Sequence, residues 1–265
     1  MSWFMGIDVG SETSKGIIIG ESVSPIYRVL PSEVNYKTAV EKLRGELLAE
    51  TDLSERDVAY TISTGHGADS VYFADEQVPD VRCCARGISN VFPSVRTVID
   101  IGSQTSRVIQ LSEEGQMMNF TMSERCAAGS GIFLQILADV LGIDIKDIGQ
   151  LSLKSNNPVT FTTGCAVFAE TEAISRIAEG ASKEDILAGV HRALADKIYA
   201  LVNRVGLKEP YAISGGGGLD IGLLRSVEEK LGLILLVPDQ PQGITALGAA
   251  VIAKGKSEAN RASAA

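Results

Sequence analysis

The chain has no surplus of positive charge: 24 Lys and Arg stand against 33 Asp and Glu, a formal net charge of −9. Nothing basic is clustered enough to follow a phosphate backbone, so nucleic-acid binding is excluded as the main role. No apolar run approaches the length of a membrane span. The N-terminus lacks the basic region and cleavage site of a secretory leader, which predicts a cytoplasmic protein. There are only 4 cysteines, not a disulfide framework in a cytosolic chain of this size. Cys83 and Cys84 are adjacent and read as structural. A Walker lysine loop is missing, as is a Gly-x-Gly-x-x-Gly after a strand, which excludes the P-loop and Rossmann nucleotide folds. What remains is an ordinary composition, 45% hydrophobic and 22% charged, over 265 residues. That length exceeds one compact domain, and two domains sharing a cleft are the expectation.

Two short stretches organise the rest. Ser123-Glu124-Arg125-Cys126-Ala127-Ala128-Gly129-Ser130-Gly131 and Thr163-Gly164-Cys165-Ala166 each put a cysteine in a turn of small residues. An apolar helical pattern follows both. After Cys126, residues Ile132, Phe133, Ile136, Leu137 and Val140 recur at helical spacing; after Cys165, Val167, Phe168, Ile174 and Ile177 do so more loosely. A cysteine so placed is either a small buried hydrophobe or a ligand. Helix N-termini favour anions, and a thiolate-bound iron–sulfur cluster is one. A cubane takes about four thiolates, and this pair supplies half of them. A symmetric dimer with the cluster on its two-fold axis would supply the rest.

Periodicity predicts strands over residues 4–9, 15–19 and 25–30, a helix over 36–48, and a buried strand over 58–62. That strand leads into Thr64-Gly65-His66-Gly67, and a short helix over 86–92 comes next. The opening motif then returns. The apolar run 97–101 ends in Asp100-Ile101-Gly102-Ser103-Gln104, as 4–9 ends in Asp8-Val9-Gly10-Ser11, with strands again at 107–111 and near 117–120. One strand–turn–strand unit is therefore duplicated. Further on, a long helix over 183–205 stops at Gly206, and a strand over 211–214 enters Gly215-Gly216-Gly217-Gly218. A helix over 223–231, a strand over 233–237 and a small-residue helix over 245–254 close the pattern, leaving 257–265 as a disordered tail.

Duplicated Asp-x-Gly-Ser turns would face each other across a cleft. Gly10 and Gly102 let the backbone approach a phosphate with no Cβ in the way. Asp8 and Asp100, each at the end of a buried strand, are placed to hold Mg²⁺ through its water shell. Ser11, Thr13 and Lys15 on the first turn and Ser103 on the second are candidate phosphate contacts, and Gln104 is a candidate to orient water. Gly215, Gly216, Gly217 and Gly218 would pack closely on an adenosine. One Asp-x-Gly alone is only a turn signal; two copies and the glycine run favour nucleotide binding.

Five segments carry a resemblance to a known family. They are Gly6-Ile7-Asp8-Val9-Gly10-Ser11, Cys84-Ala85-Arg86-Gly87, Asp100-Ile101-Gly102-Ser103-Gln104, Cys126-Ala127-Ala128-Gly129-Ser130-Gly131 and Cys165-Ala166-Val167-Phe168-Ala169-Glu170. The closing Gly243-Ile244-Thr245-Ala246-Leu247-Gly248-Ala249-Ala250 also fits. Over nearly its whole length the chain resembles the ATP-dependent activators of 2-hydroxyacyl-CoA dehydratases. This is the BadF/BadG/BcrA/BcrD family, within the acetate-and-sugar-kinase/actin/DnaK-chaperone superfamily. The resemblance implies an α/β fold: a duplicated ribonuclease-H-like, actin/sugar-kinase-like two-domain ATPase with a central nucleotide cleft. Residues 1–95 with the helix 244–256 would form one half, and residues 96–243, with the cluster cysteines, the other.

It further implies a homodimer with a single 4Fe–4S cluster held by Cys126 and Cys165 of each subunit, and one Mg²⁺-ATP per subunit. Ferredoxin or flavodoxin would donate the electron and an iron–sulfur dehydratase or reductase would accept it, with no nucleic acid or membrane involved. An ATPase subunit resident in a benzoyl-CoA-type reductase is the near alternative. A sugar kinase such as an N-acetylhexosamine kinase shares the nucleotide fold but leaves both cysteines unexplained. The chain departs from the family at Ser103, often glycine, at Thr105-Ser106-Arg107, often aspartate–serine–lysine, and at Cys84, often histidine.

Overall fold

The computed structural model describes residues 2–21, 24–123, 130–161 and 166–264, and the chain divides into two compact units. The first comprises Met1–Val95, Leu111–Met117 and Gln242–Ala265. Its sheet holds β1 (Trp3–Val9), β2 (Thr13–Ile19), β3 (Ile26–Pro31), β4 (Val58–Thr64) and the short β5 (Glu76–Gln77) in the order β3-β2-β1-β4-β5. β1, β2 and β3 form the antiparallel meander, and β4 runs parallel to β1. The central strand is covered on both faces. Met5, Ile7 and Val9 pack with Val40, Leu43 and Leu47 of α1 (Tyr36–Thr51). Phe4, on the other face, packs with Ala249 and Ala253 of the last helix, α8 (Ile244–Ala264).

The small residues of α8 are there because it lies directly on the sheet and on α2 (Asp80–Val91). A Cβ on Gly248 would stand 1.7 Å from the Cys83 carbonyl oxygen, and one on Gly6 2.1 Å from that of Ala246. Cys83 and Cys84 are buried in α2, and burial, chiefly, pushes the Cys83 thiol up to about 12. Two helices run further than periodicity indicates. α2 begins at Asp80, just after Pro79, rather than near 86. α8 continues to Ala264 through the stretch expected to be a disordered tail. Lys256 pairs with Glu76, and Arg261 donates to Ser2 Oγ at 3.0 Å, ties to distant residues that no local pattern signals.

The second unit comprises Arg96–Gln110 and Met118–Pro241. Its sheet takes β6 (Thr97–Ile101), β7 (Ser106–Leu111), β8 (Met117–Met122) and β9 (Tyr211–Ser214) in the order β8-β7-β6-β9, with β9 parallel to the fully buried β6. Helices α3 (Gly131–Leu141), α4 (Ile148–Ser152), α5 (Ala166–Ala178), α6 (Lys183–Val205) and α7 (Ile221–Leu231) belong to this unit. Leu137, Ile186, Val190, Leu194, Leu223 and Val227 close on Ile99, Ile101 and Ile213 in one core. The expected strand over 233–237 is a single bridge between Ala212 and Leu236. Pro238, which has no N–H, stands two residues beyond it.

Candidate nucleotide site

Each unit carries one of the duplicated turns, and the two are built alike. In the first, Asp8 pairs across the hairpin with Lys15, and Gly10 N–H donates to Thr13 O at 3.1 Å. In the second, Asp100 pairs across the hairpin with Arg107, and Gly102 N–H donates to Thr105 O at 2.9 Å. Both aspartates are buried, whereas Gly10, Ser11 and Thr13, like Gly102 and Ser103, are half-buried. Gln104 is exposed, at the position that Glu12 takes in the first turn. A Cβ on Gly10 would fall 2.8 Å from Thr13 O and 3.0 Å from Lys15 Nζ; one on Gly102 would fall 3.1 Å from Thr105 O. The first turn thus needs a hydrogen where other residues carry carbon, and the second is tight at the same place. A carboxylate, a hydroxyl and a glycine backbone on each turn, with an ammonium on the first, fit a magnesium-bound polyphosphate.

The carboxylates are held from the neighbouring strands. Lys15 Nζ lies 3.6 Å from Asp8 Oδ2 and donates to Thr13 O at 3.0 Å. Arg107 donates from Nε at 2.9 Å and from Nη2 at 2.6 Å to Asp100 Oδ2, while Ser214 Oγ donates to Asp100 Oδ1 at 2.8 Å. This is a buried, charge-assisted cluster. Arg107 stands out in the sequence only as a departure from a family pattern, and Ser214 only as a strand end. The register of the repeat, which puts Arg107 where Lys15 is, was the available signal.

Three of the four expected adenosine-loop glycines have internal reasons to be glycine. Gly215 has φ 80°, and its Cβ would meet Ile101 O at 2.4 Å; those on Gly217 and Gly218 would meet Ile101 Cβ at 2.6 Å and Pro241 Cβ at 2.7 Å. The loop is therefore folded tightly onto the end of β6, beside Asp100. Helix α3 starts on the same end: Gly131 N–H donates to Gly102 O and Ile132 N–H to Ser103 O, both at 2.9 Å. The turn's carbonyls accept from N–H groups that a helix start otherwise leaves unsatisfied. Cys126 and Cys165 lie outside the described residues. α5 begins at Ala166, the residue after Cys165. Among the described residues no group of three or more His, Cys, Asp or Glu side chains is arranged to hold a metal ion.

Residues 5–253 match the BadF/BadG/BcrA/BcrD ATPase family. The chain is 37% identical over 254 residues to the (R)-2-hydroxyglutaryl-CoA dehydratase activating ATPase of Acidaminococcus fermentans, covering 96% of this chain and 97% of that protein. It is 36% identical over 249 residues to the 2-hydroxyisocaproyl-CoA dehydratase activator of Clostridioides difficile, 94% of each. It is also 36% identical over 197 residues to one of the subunits of benzoyl-CoA reductase from Thauera aromatica, 74% of this chain and 69% of that one. Two solved structures share the fold. The Acidaminococcus fermentans (R)-2-hydroxyglutaryl-CoA dehydratase component A matches with a TM-score of 0.93 at 36% identity, over 97% of this chain and 100% of that one. The activator of the 2-hydroxyisocaproyl-CoA dehydratase from Clostridium difficile, with bound ADPNP, matches with a TM-score of 0.92 at 34% identity, over 98% and 97%.

Proposed function

We propose, from the premise that this chain belongs to the BadF/BadG/BcrA/BcrD ATPase family, that it is an ATP-driven electron donor. Its acceptor is an iron–sulfur enzyme of the 2-hydroxyacyl-CoA dehydratase type. Asp8 and Asp100 act together on Mg²⁺-ATP, with Gly10, Ser11, Thr13, Lys15, Gly102 and Ser103 contacting phosphate. Gln104 orients the attacking water, and the loop Gly215-Gly216-Gly217-Gly218 contacts the adenosine. Cys126 and Cys165 of two copies are the thiolates for a 4Fe–4S cluster, which when bound supplies the electron. That electron comes in turn from a ferredoxin or flavodoxin.

One observation carries this reading: the junction of the second phosphate turn with α3. Gly102 O and Ser103 O accept the first N–H groups of the helix that follows Cys126. A change in the turn on hydrolysis is therefore a change in how that helix is anchored, and packed elements move between discrete arrangements rather than bending continuously.

Anaerobically prepared protein is expected to reduce an iron–sulfur dehydratase partner only when ATP and a low-potential reductant are both present. Cys126→Ser should abolish that reduction while ATP hydrolysis persists. Hydrolysis with no ATP-dependent reduction of any such partner would overturn the proposal. The similarity to a benzoyl-CoA reductase subunit supports a second arrangement, residence in a reductase complex, which co-purification with a stable large partner distinguishes.

A further inference from the structure

We propose that the turn Thr64-Gly65-His66-Gly67 is a nucleotide-contacting turn of the first half, and that His66 is the side chain it presents to the terminal phosphate of ATP. This assignment rests on the nucleotide site proposed above and adds to it a segment that none of the site motifs includes.

The internal repeat reaches further than the Asp-x-Gly-Ser hairpins. β4 runs beside β1 with Thr64 next to Asp8, as β9 runs beside β6 with Ser214 next to Asp100. Each strand then ends in a glycine in the left-handed region, Gly65 at φ 89° and Gly215 at φ 80°, where other residues are strained. Both glycines press on the same two groups. A Cβ on Gly65 would stand 2.4 Å from Asp8 Oδ1 and 2.6 Å from Val9 O; one on Gly215 would stand 3.0 Å from Asp100 Oδ1 and 2.4 Å from Ile101 O. Two residues later the match continues. Gly67 packs on Val9 Cγ1, where a Cβ would come within 2.5 Å, and Gly217 on Ile101 Cγ2, where it would come within 2.6 Å. A 3₁₀ turn lies at each place, Ala68–Ser70 starting after Gly67 and Gly216–Leu219 starting one residue before Gly217. The turn at 64–67 is thus the first half's counterpart of the glycine loop in the second.

The two loops differ at their middle position. Gly216 has no side chain there; His66 has an exposed imidazole, edge-on to the Tyr36 ring at 6.3 Å between centroids. The glycines on either side of His66 pack on Asp8 and Val9, so its backbone is fixed relative to the carboxylate. Lys15, the cation of this turn, is engaged with Asp8 and with Thr13 O. An imidazole N–H at the turn adds a donor suited to an anionic phosphate oxygen.

Binding of a non-hydrolysable ATP analogue and of ADP to the full chain, measured by calorimetry, tests this. His66→Ala, at an exposed position, is expected to weaken the analogue by about tenfold and ADP by no more than about twofold, the scale of one hydrogen bond to a charged group. Equal losses for both nucleotides, or no loss for either, would overturn the assignment. Gly65→Ala, confirmed folded by circular dichroism, should weaken both nucleotides because its Cβ displaces Asp8; unchanged binding would count against the turn. Asp100→Asn separates the two failures. If Asp100→Asn binds both nucleotides as the parent chain does, the nucleotide site itself is wrong. If it binds them weakly while His66→Ala binds normally, only the turn at 64–67 fails.

Discussion

Arg107 shows how much of a site can rest on one side chain that no motif names. Its two donors meet a single oxygen of Asp100, and both residues are buried. Arg107→Met leaves that carboxylate without its cation and is expected to lower the unfolding free energy by about 3–5 kcal/mol in urea titrations. Arg107→Lys should lose much less, because the first half runs with lysine at the equivalent position, and equal midpoints for all three proteins would refute this. Cys83 makes a second prediction, with a definite sign. Its thiol is raised to about 12 when folded, burial being the main cause and the Asp8 charge a lesser one, whereas an unfolded thiol ionises near ~8.5. The stabilising contribution is complete below the unfolded value and is lost as pH rises from there toward the folded one. Over that window it declines by up to ~1.4 kcal/mol per pH unit. Cys83→Ala should therefore show a shallower loss of stability between mildly and strongly alkaline buffer, even though its cavity makes it less stable at neutral pH. Parallel slopes for the two proteins would show that the thiol does not ionise on unfolding as described.

At the level of elements, glycine separates contacts that a helix cannot give up from positions that are merely empty. The Cβ of Gly248→Ala would be driven into the Cys83 carbonyl at 1.7 Å, so α2 and α8 must part, and a loss of about 3 kcal/mol is expected by thermal or urea unfolding. Gly45, within α1, has nothing within 4 Å of a new Cβ, and Gly45→Ala should stabilise by about 0.5–1 kcal/mol. The α3 junction allows a sharper experiment. Gly131 is the first residue of α3 and Ser130 before it is extended, with φ −150° and ψ 174°, which is where proline is tolerated. Gly131→Pro removes the donor and sets its ring Cδ against Gly102 O, which lies 2.9 Å from the nitrogen, so this junction is forced open; Gly131→Ala keeps the donor, its Cβ meeting neighbours at 3.4 Å or more. The proline variant should load iron yet release it to a chelator at the same rate in ATP and ADP, while the alanine variant keeps a difference. Periodicity located these helices but not the junction. Phe133, Leu137 and Leu141 mark a buried face, whereas what satisfies the first N–H groups depends on a turn encoded some thirty residues earlier.

For the whole molecule, what was legible in the sequence is what recurs locally. Asp8-Val9-Gly10-Ser11 and Asp100-Ile101-Gly102-Ser103 announce the duplication because each hairpin is contiguous, and the two sheets then follow the same strand–turn–strand logic. The parts that β4 and β9 bring to those turns, Gly65 beside Asp8 and Ser214 beside Asp100, were not legible, since parallel pairing joins stretches far apart in the chain. Assembly carries this one level higher, because two ligand-type cysteines per chain cannot complete a cubane alone. If Cys126 and Cys165 are its ligands, anaerobic protein should contain about four iron and four sulfide per two chains and should run as a dimer. Cys126→Ser and Cys165→Ser should each lose the iron, and Cys83→Ser, whose side chain is buried within α2, should keep it. Nucleotide binding must then feel the cluster as strongly as the cluster feels nucleotide, because coupling between sites is reciprocal. For each ATP bound to the dimer, a tenfold difference in affinity between the oxidised and reduced cluster corresponds to a shift of about 59 mV in its one-electron potential, or ~1.4 kcal/mol. Titrating the potential in ATP and in ADP, and the ATP affinity in each redox state, measures the same quantity twice. A potential indifferent to nucleotide in a dimer that holds its full iron would leave hydrolysis with no route to the electron, and the chain would be an ATPase that merely carries iron.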